Sequence, residues 1–440
     1  MATAFLYSVV SMVFVLGIMI LVHELGHFLA AKYFGVRVEV FSIGFGKRLI
    51  GFKRGDTDYR ISALPFGGYV KMTGENPMDR HEGSPEEFTS HPRWQRLIIA
   101  VAGPAMNIAL AVALLTGVYM VHYEHPIYLD QPAVIGWVLD GSAAKKAGIE
   151  PGDRIIRIGN TTNPTWEDVI PSVMLSPNQP VSITIQRLNQ RFEKTIVPES
   201  MGQEQIGNPG WVPDQPVTVT FLEENMPAAK AGIKLGDDIV AINDKPVRST
   251  GLLKSYLQQS KDQPVQVTLL REGQEHKISL TPALDPERNE YRLGFGSEPQ
   301  HVDRLGPVAA LSKSIEQNKR NSLLIMEMVK RMVQRKVSIK QMEGPIGIAR
   351  VSGEAARQDG WTPLLGLMAA ISLNLGIFNL FPIPILDGGL ILLLLIESLM
   401  RRDISQPIKE RIYQAAFVCL ILFAGMVIFN DVMKIIPRLQ

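Results

Sequence analysis

The sequence predicts a multi-span α-helical membrane protein with four transmembrane helices, a membrane-associated β region and a duplicated α+β domain. Four stretches are apolar over about the 20 residues that a helix needs to cross a bilayer. A short region after the first stretch alternates apolar and polar residues, and a segment near residue 146 recurs near residue 230. The chain has 440 residues, 46% of them hydrophobic, so it has room for all three parts.

Charge and cysteine content exclude several classes of protein. The formal net charge is +2, and the basic residues are dispersed among acidic ones, so we expect no nucleic-acid binding. The single cysteine, Cys419, allows no intrachain disulfide and no cysteine-based metal site. Any part outside the cytoplasm must therefore fold without disulfides.

The predicted spans cover residues 5–32, 97–121, 362–396 and 412–430. The third is too long for one plain span and contains Pro382, Pro384 and Asp387, so we expect a helix broken at membrane depth. Lys and Arg are frequent in the loops after the first and third spans, which places both loops in the cytoplasm. The two termini and the long middle region would then lie outside, and the first span would be a retained signal anchor.

These patterns divide the chain into nine predicted segments. They are a first span at 1–35, a cytoplasmic membrane-associated β region and loop at 36–96, a second span at 97–122, two copies of the duplicated domain at 123–206 and 207–300, an amphipathic helix and connector at 301–361, a broken third span at 362–400, a cytoplasmic loop at 401–411 and a fourth span at 412–440. The amphipathic helix has two interpretations, since it could lie on the membrane surface or pack on a neighbouring domain.

An HExxH motif lies where the first apolar run first admits ionisable residues. His23 and His27 are four residues apart, so on a helix they share one face and can bind one zinc ion. Glu24 beside them can act as a general base on a water molecule activated by the metal. Ionisable residues inside an apolar span are costly, which favours a function over chance.

Asp387 is the predicted third zinc ligand. Hydrolytic zinc sites usually have three protein ligands and one position for water, and HExxH supplies two. Asp387 is a lone acid in an apolar run, where ligation of a cation is its least costly state. By itself, Asp387 could also cap a helix at the predicted break. The presence of HExxH favours the ligand interpretation.

The β region contains strand-like stretches at 36–41 and 59–64 and the run Gly67-Gly68-Tyr69-Val70-Lys71-Met72. Alternation and β-branched residues indicate strands, and the glycines indicate a turn or a close backbone approach. Two interpretations remain open. The region is either a small solvated hairpin domain or a sheet with an open edge near the active site.

The middle region contains an internal repeat with a period of 84 residues. Gly148, Gly152 and Asp153 match Gly232, Gly236 and Asp237, and strand-like runs follow in each copy. The two copies resemble PDZ domains, which often capture an extended chain end at a sheet edge. A pair of rigid spacers without a ligand is the alternative.

The motifs as a set resemble those of the site-2 protease family of intramembrane zinc metalloproteases. They are HELGH at 23–27, FGGYVKM at 66–72, NLFPIPILDG at 379–388 and the two PDZ-like copies. The resemblance implies that Zn²⁺ is the cofactor, that Asn379 positions the substrate, with Asn374 as a second candidate, and that the strand with Gly67, Gly68 and Tyr69 holds the substrate extended. One departure is Leu390, where relatives often have His.

The resemblance also implies the substrates and the location. The substrates would be single-span membrane proteins cut within the bilayer: an anti-sigma factor already trimmed outside by a site-1 protease, and remnant signal peptides. The protein would lie in a bacterial inner membrane, in contact with lipid, with both termini and the PDZ domains in the periplasm. The PDZ pair would act as a size filter or as a receptor for the trimmed end. If the pair is a size filter, deletion of residues 128–300 would let uncut substrate be cleaved. If it is a receptor, the same deletion would reduce cleavage of the trimmed substrate.

Two other functions compete with the protease. The first is a catalytically silent membrane-anchored PDZ adaptor with a structural metal site, but a structural site needs no base such as Glu24. The second is a metal transporter. It is weakened because Asn107 and Thr116 are the main polar residues of the second span, so no polar path through the spans is evident.

Overall fold

A computed structural model describes residues 2–75, 83–201, 205–285, 290–297, 300–334, 344–358 and 360–435. The helices are α1 Ala2–Tyr33, α2 Arg93–Val121, α3 Ala143–Lys146, α4 Trp166–Met174, α5 Pro227–Lys230, α6 Thr250–Ser260, α7 Pro307–Val333, α8 Pro345–Ala355, α9 Thr362–Asn379, α10 Asp387–Met400 and α11 Gln406–Ile435.

The strands are mostly short, apart from the first two. They are β1 Val38–Arg54, β2 Thr57–Met72, β3 Tyr123–Pro126, β4 Ile135–Val138, β5 Arg154–Ile158, β6 Thr161–Thr162, β7 Val181–Arg187, β8 Gln190–Ile196, β9 Glu199–Met201, β10 Ile206–Asn208, β11 Trp211–Pro213, β12 Val217–Thr218, β13 Phe221–Leu222, β14 Asp238–Ile242, β15 Lys245–Pro246, β16 Val265–Arg271, β17 Gln274–Leu280, β18 Ala283–Asp285, β19 Glu290–Arg292, β20 Phe295–Gly296 and β21 Gln300–Asp303.

The chain forms two compact units, and the first holds the apolar helices. It comprises Met1–Tyr123, Arg304–Glu327 and Met342–Gln440. Among the described residues, four helical stretches are long and apolar enough to cross a membrane, namely Tyr7–Tyr33, Arg93–Val121, Thr362–Asn379 and Gln406–Met433. Buried side chains of α1 and α9, including Val15, Met19 and Met368, form one of its apolar clusters. The part of the chain that carries the HExxH motif is therefore packed between helices of membrane length.

The long third apolar run is two helices rather than one. The helix α9 ends at Asn379, and α10 begins at Asp387. Pro382 and Pro384 lie in the connection, where the ring fixes φ and the backbone N–H is absent, so a continuous helix is disfavoured. The break places Asp387 in the first turn of a new helix.

The helix α8 is absent from the sequence-based prediction, which marks 343–347 only as a break. Pro345 occupies its first turn, where the missing N–H costs nothing. The carboxylate of Asp431, 2% exposed on α11, accepts hydrogen bonds from the N–H groups of Gly344, Ile346 and Gly347 at 3.0–3.1 Å. A distant helix therefore satisfies the first N–H groups of α8.

The helix α7 packs on α2 in the first unit. Ser314 is fully buried, and its hydroxyl donates a hydrogen bond to the carbonyl oxygen of Val112 at 2.8 Å. This half of the amphipathic helix therefore packs on the second of the helices of membrane length.

The strands β1 and β2 form a sheet in which each strand is used twice. Residues 38–45 of β1 pair on one side with residues 58–64 of β2 and on the other with residues 68–72. The remaining part of β1, residues 48–54, pairs with residues 57–62. The 68–72 segment thus lies at an edge of the sheet, and β2 contacts α1.

The second unit, Glu124–Asp303 with Met328–Gln341, contains the duplicated domain. The helix α3 and strands β5, β7 and β8 recur as α5, β14, β16 and β17 at positions 84 residues later. Each copy has its own cluster of buried apolar side chains. The two copies therefore share one arrangement of helices and antiparallel strands.

The same buried ion pair recurs in both copies. Arg187 donates to Asp153 at 2.7 and 2.8 Å, and Arg271 donates to Asp237 at 2.8 and 2.7 Å. Burial acts to raise the pKa of Asp237, but the hydrogen bonds from Arg271 and from the Lys234 N–H hold it below its usual value. Arg187 and Arg271 are also 84 residues apart. The sequence-based prediction rests on the glycines and aspartates of the repeat and does not include this match.

Candidate active site

The HExxH motif lies inside α1, with both histidines buried. His23 is 6% exposed and His27 8%, and their Nε2 atoms are 3.3 Å apart. One helical turn separates residues four apart, so α1 aligns the two imidazoles on one face. Desolvated nitrogens this close to each other favour a shared cation over two independent side chains.

Asp387, at the start of α10, lies beside the two histidines and completes a set of three potential metal ligands. One carboxylate oxygen lies 3.0 Å from His23 Nε2, and the other lies 3.4 Å from His27 Nε2. Tetrahedral Zn²⁺ with metal–ligand bonds near 2.1 Å requires ligand atoms about 3.4 Å apart. The 3.3 Å between the two histidine Nε2 atoms agrees with that requirement, and each of these atoms lies within 3.4 Å of one Asp387 oxygen. Two imidazoles with a carboxylate also suit zinc chemically.

Hydrogen bonds at the two Nδ1 atoms, the ring nitrogens that are not next to Asp387, orient both imidazoles. His27 Nδ1 is 2.8 Å from the carbonyl oxygen of Ile99, which accepts only, so the proton is on Nδ1 and Nε2 is available to a metal. The side-chain amide nitrogen of Asn107 is 3.1 Å from His23 Nδ1, and the hydroxyl of Ser372 donates to the backbone carbonyl oxygen of Asn107 at 2.8 Å.

Asn107 fits the zinc site best with its amide turned over. Its Oδ1 is buried and has no hydrogen-bond partner among the described residues. Rotation by half a turn would let Oδ1 accept the proton of His23 Nδ1, the tautomer that leaves Nε2 for zinc. The signal in the sequence is a lone amide in an apolar span, which we interpret there only as evidence against a transport path.

We expect Asn107→Ala to weaken zinc binding about 10- to 100-fold, since loss of an outer partner leaves His23 poorly oriented. Zinc affinity of the purified protein, measured by competition with a chelator, checks this. Asn374→Ala is the control, because Asn374 is exposed on α9. Equal affinity in Asn107→Ala and wild type would contradict a role for Asn107 at the metal.

Glu24 connects α1, the helix that carries both histidines, to strand β2. Its Oε2 accepts a hydrogen bond from the Val70 N–H of β2 at 3.0 Å. Glu24 lines a cavity of about 220 Å³ together with His23, His27 and Asp387. The predicted general base and the three predicted ligands therefore share one small space.

The other predicted residues lie at different distances from this cavity. The Asn379 amide is 3.2 Å from His23 Nε2, and Tyr69 lines the cavity. A Cβ on Gly68 would lie 2.9 Å from the Ser42 carbonyl oxygen and 3.4 Å from Glu24 Cγ, and Gly67 has a φ of +114°. Asn374 is exposed and does not line the cavity. Leu390 does line it.

Gly103 allows α2 to approach the site closely. A Cβ at this position would lie 2.2 Å from His27 Nε2, closer than real atoms come. The small residue is therefore needed for His27 to take its place between the two helices.

Glu75 is a further acidic residue at the site, and the sequence-based prediction omits it. It lines the cavity and also a neighbouring groove of about 570 Å³ between residues 69–72 of β2 and residues 384–387. Burial raises the pKa of the Glu75 carboxyl to about 7, against the opposing effects of the Met72 N–H and His27. Asp387 also lines both the cavity and the groove, so the two spaces meet at Glu75 and Asp387.

The protein combines apolar helices of membrane length, an HExxH helix and a potential third ligand at the start of α10. These features together are typical of membrane-embedded metallopeptidases. Residues 11–423 match Peptidase family M50. The regulator of sigma-E protease RseP of Escherichia coli K12 is 30% identical over 97% of this chain and 99% of its own length. RseP of Salmonella typhimurium is 30% identical over 97% of this chain and 98% of its own length. The chain belongs to peptidase family M50.

Two further comparisons concern the metal and the duplicated domain. A relative from Vibrio cholerae, 30% identical over 98% of this chain and 99% of its own length, is designated a zinc metalloprotease. With the family membership, this makes the protein a zinc metalloprotease. The PDZ domain of an SdrC-like protein from Listeria monocytogenes is 18% identical over 20% of this chain and 90% of that domain. Its TM-score of 0.18 is too low to establish a shared fold.

Proposed function

We propose that the protein is an intramembrane endopeptidase that cuts the transmembrane segment of single-span membrane proteins. His23, His27 and Asp387 would hold Zn²⁺, and Glu24 would be the general base. The observation that carries the proposal is the convergence of these four side chains in one cavity, on helices of a chain that belongs to a protease family. That the histidines are in α1, a helix of membrane length, supports cleavage at membrane depth.

The chemistry of peptide hydrolysis assigns a proton path to Glu24. Bound Zn²⁺ would supply a Lewis acid that polarises the scissile carbonyl and lowers the pKa of water. Glu24 would take one proton from the attacking water and deliver it to the leaving nitrogen as the C–N bond breaks. The water oxygen and its second proton stay on the new carboxyl group, and the nitrogen leaves as an amine. The Val70 N–H would hold the Glu24 carboxylate in place.

The 68–72 edge of β2 would help to unwind the transmembrane helix of a substrate before cleavage. A peptide bond in a helix is shielded by its own hydrogen bonds, and breaking them in lipid costs several kcal/mol for each unsatisfied group. The 68–72 edge of β2 borders both the cavity and the groove. A substrate segment that pairs with this edge would replace its lost helical bonds, and the Asn379 amide beside His23 would contact the segment near the ligands.

The names of the relatives support the choice of substrate. The relatives from Escherichia coli and Salmonella typhimurium each bear the name regulator of sigma-E protease. We therefore propose a trimmed anti-sigma factor as a substrate, together with remnant signal peptides. The proposed location is the inner membrane of a bacterium with the duplicated domain in the periplasm. We further propose that the two copies are PDZ domains, which is supported by their shared arrangement of helices and antiparallel strands.

We expect Gly68→Val to lower cleavage of a single-span substrate about 10²-fold while bound zinc is retained. The branched side chain would push β2 away from Ser42 and shift Glu24, and small misplacements at a reacting centre have effects of this size. Gly67→Val should act in the same direction, because its Cβ would overlap the Phe45 ring. Turnover in a reconstituted membrane, with zinc measured in parallel, checks this.

Gly117→Val is the matched control for this experiment. Nothing lies within 4 Å of a Cβ at that position on α2, so its turnover should remain close to that of wild type. Normal turnover in both Gly67→Val and Gly68→Val would contradict the proposal that this edge holds the substrate.

A further inference from the structure

The 68–72 edge of β2 directs alternate backbone N–H groups away from β1. In an antiparallel pair, successive residues direct their N–H groups to opposite sides. The Val70 N–H points away from β1, since it donates to Glu24. The N–H groups of residues 68 and 72 share that side, and the Met72 N–H donates to Oε2 of Glu75 at 3.3 Å. Carboxylates therefore hold two neighbouring donors of this edge.

The Glu75 carboxylate is held there by a turn of the chain. The Glu75 N–H lies 3.4 Å from the Met72 carbonyl oxygen, so the backbone reverses just after the strand. This backbone bond closes the turn, and the side-chain bond is additional to it. The partly buried side chain lies along the edge, in both the cavity and the groove. Glu75 thus occupies the space that an added strand would need.

We propose that the Glu75 carboxylate takes the place of a substrate carbonyl at the Met72 N–H when the site is empty. A substrate segment must displace it to pair along the whole edge. An uncapped edge pairs with any extended chain, whereas an internal cap restricts pairing to segments that bind the rest of the edge well enough to displace the Glu75 carboxylate from the Met72 N–H. Glu75 is therefore a specificity-determining residue, and this inference rests on the proposed function because it requires a substrate that adds to this edge.

Hydrogen exchange and steady-state kinetics on the full-length protein in nanodiscs test the inference. In Glu75→Ala without substrate, the Met72 amide should exchange faster than in wild type. The KM for a trimmed single-span substrate should fall about five-fold, as expected for loss of one competing hydrogen bond, with a smaller change in kcat. Glu75→Gln keeps an acceptor oxygen, so its KM should lie nearer to wild type than that of Glu75→Ala.

Glu86→Ala is the matched control, since Glu86 is exposed in the same loop. It should leave both the exchange of Met72 and the KM unchanged. A KM in Glu75→Ala that is unchanged or raised would overturn the inference, and so would unchanged exchange at Met72. Wild type that cuts no single-span substrate would overturn the proposed function itself, whereas normal cleavage with an unaltered KM overturns only the role of Glu75.

Discussion

Glu24→Gln should abolish cleavage while the protein still folds and retains its zinc. Loss of a positioned general base lowers the rate by about 10²- to 10⁴-fold. Gln has an oxygen that can still accept the Val70 N–H, so the contact between α1 and β2 should persist. The proposed ligand atoms belong to His23, His27 and Asp387, so this substitution leaves all of them in place. The variant thus separates proton transfer from metal binding.

The measurement is cleavage of a tagged single-span substrate, already shortened outside, by purified wild type and Glu24→Gln, with zinc measured in both. Cleavage by wild type alone at equal zinc content would establish the assigned role of Glu24. If neither protein cut any of several substrates at full zinc occupancy, the adaptor with a structural metal site would become the better hypothesis.

Asp387→Ala should lose both zinc and activity. It removes one of the three proposed ligands. Loss of a residue that only hydrogen-bonds to a ligand, such as Asn107, is expected to lower zinc affinity about 10- to 100-fold, and the loss in Asp387→Ala should be larger. After treatment with a chelator, added zinc should restore cleavage in wild type but not in Asp387→Ala at the same concentration. Zinc content and turnover before and after re-addition check this.

Asp403→Ala is a suitable control for Asp387→Ala. Asp403 lies between α10 and α11, and its side chain is 64% exposed, paired with Arg93. An exposed ion pair contributes little to stability, so this variant should bind zinc as wild type does. Full zinc occupancy in Asp387→Ala would show that the third ligand is another group.

The helix period made part of the site predictable. The spacing of His23 and His27 fixes their common face within one helix, and this needs no knowledge of packing. The closeness of Asp387 to the two histidines follows the sequence-based expectation that a lone acid in an apolar run has a partner. The 84-residue repeat is likewise visible in the residues themselves. Each of these signals is local, or compares one stretch with another.

The remaining contacts at the site depend on how distant segments pack. Asn107 reaches His23 because α2 lies against α1, and Ile99 reaches His27 for the same reason. The double pairing of β1 places residues 68–72 at the edge, and a turn then directs Glu75 onto it.

The sequence by itself determined the apolar spans, the duplication and which residues are candidates for metal ligands, because residue type and period carry that information. Only the tertiary structure decided which polar groups orient the histidines and what occupies the strand edge. Those contacts join residues far apart in the chain, and no local period records which of them meet.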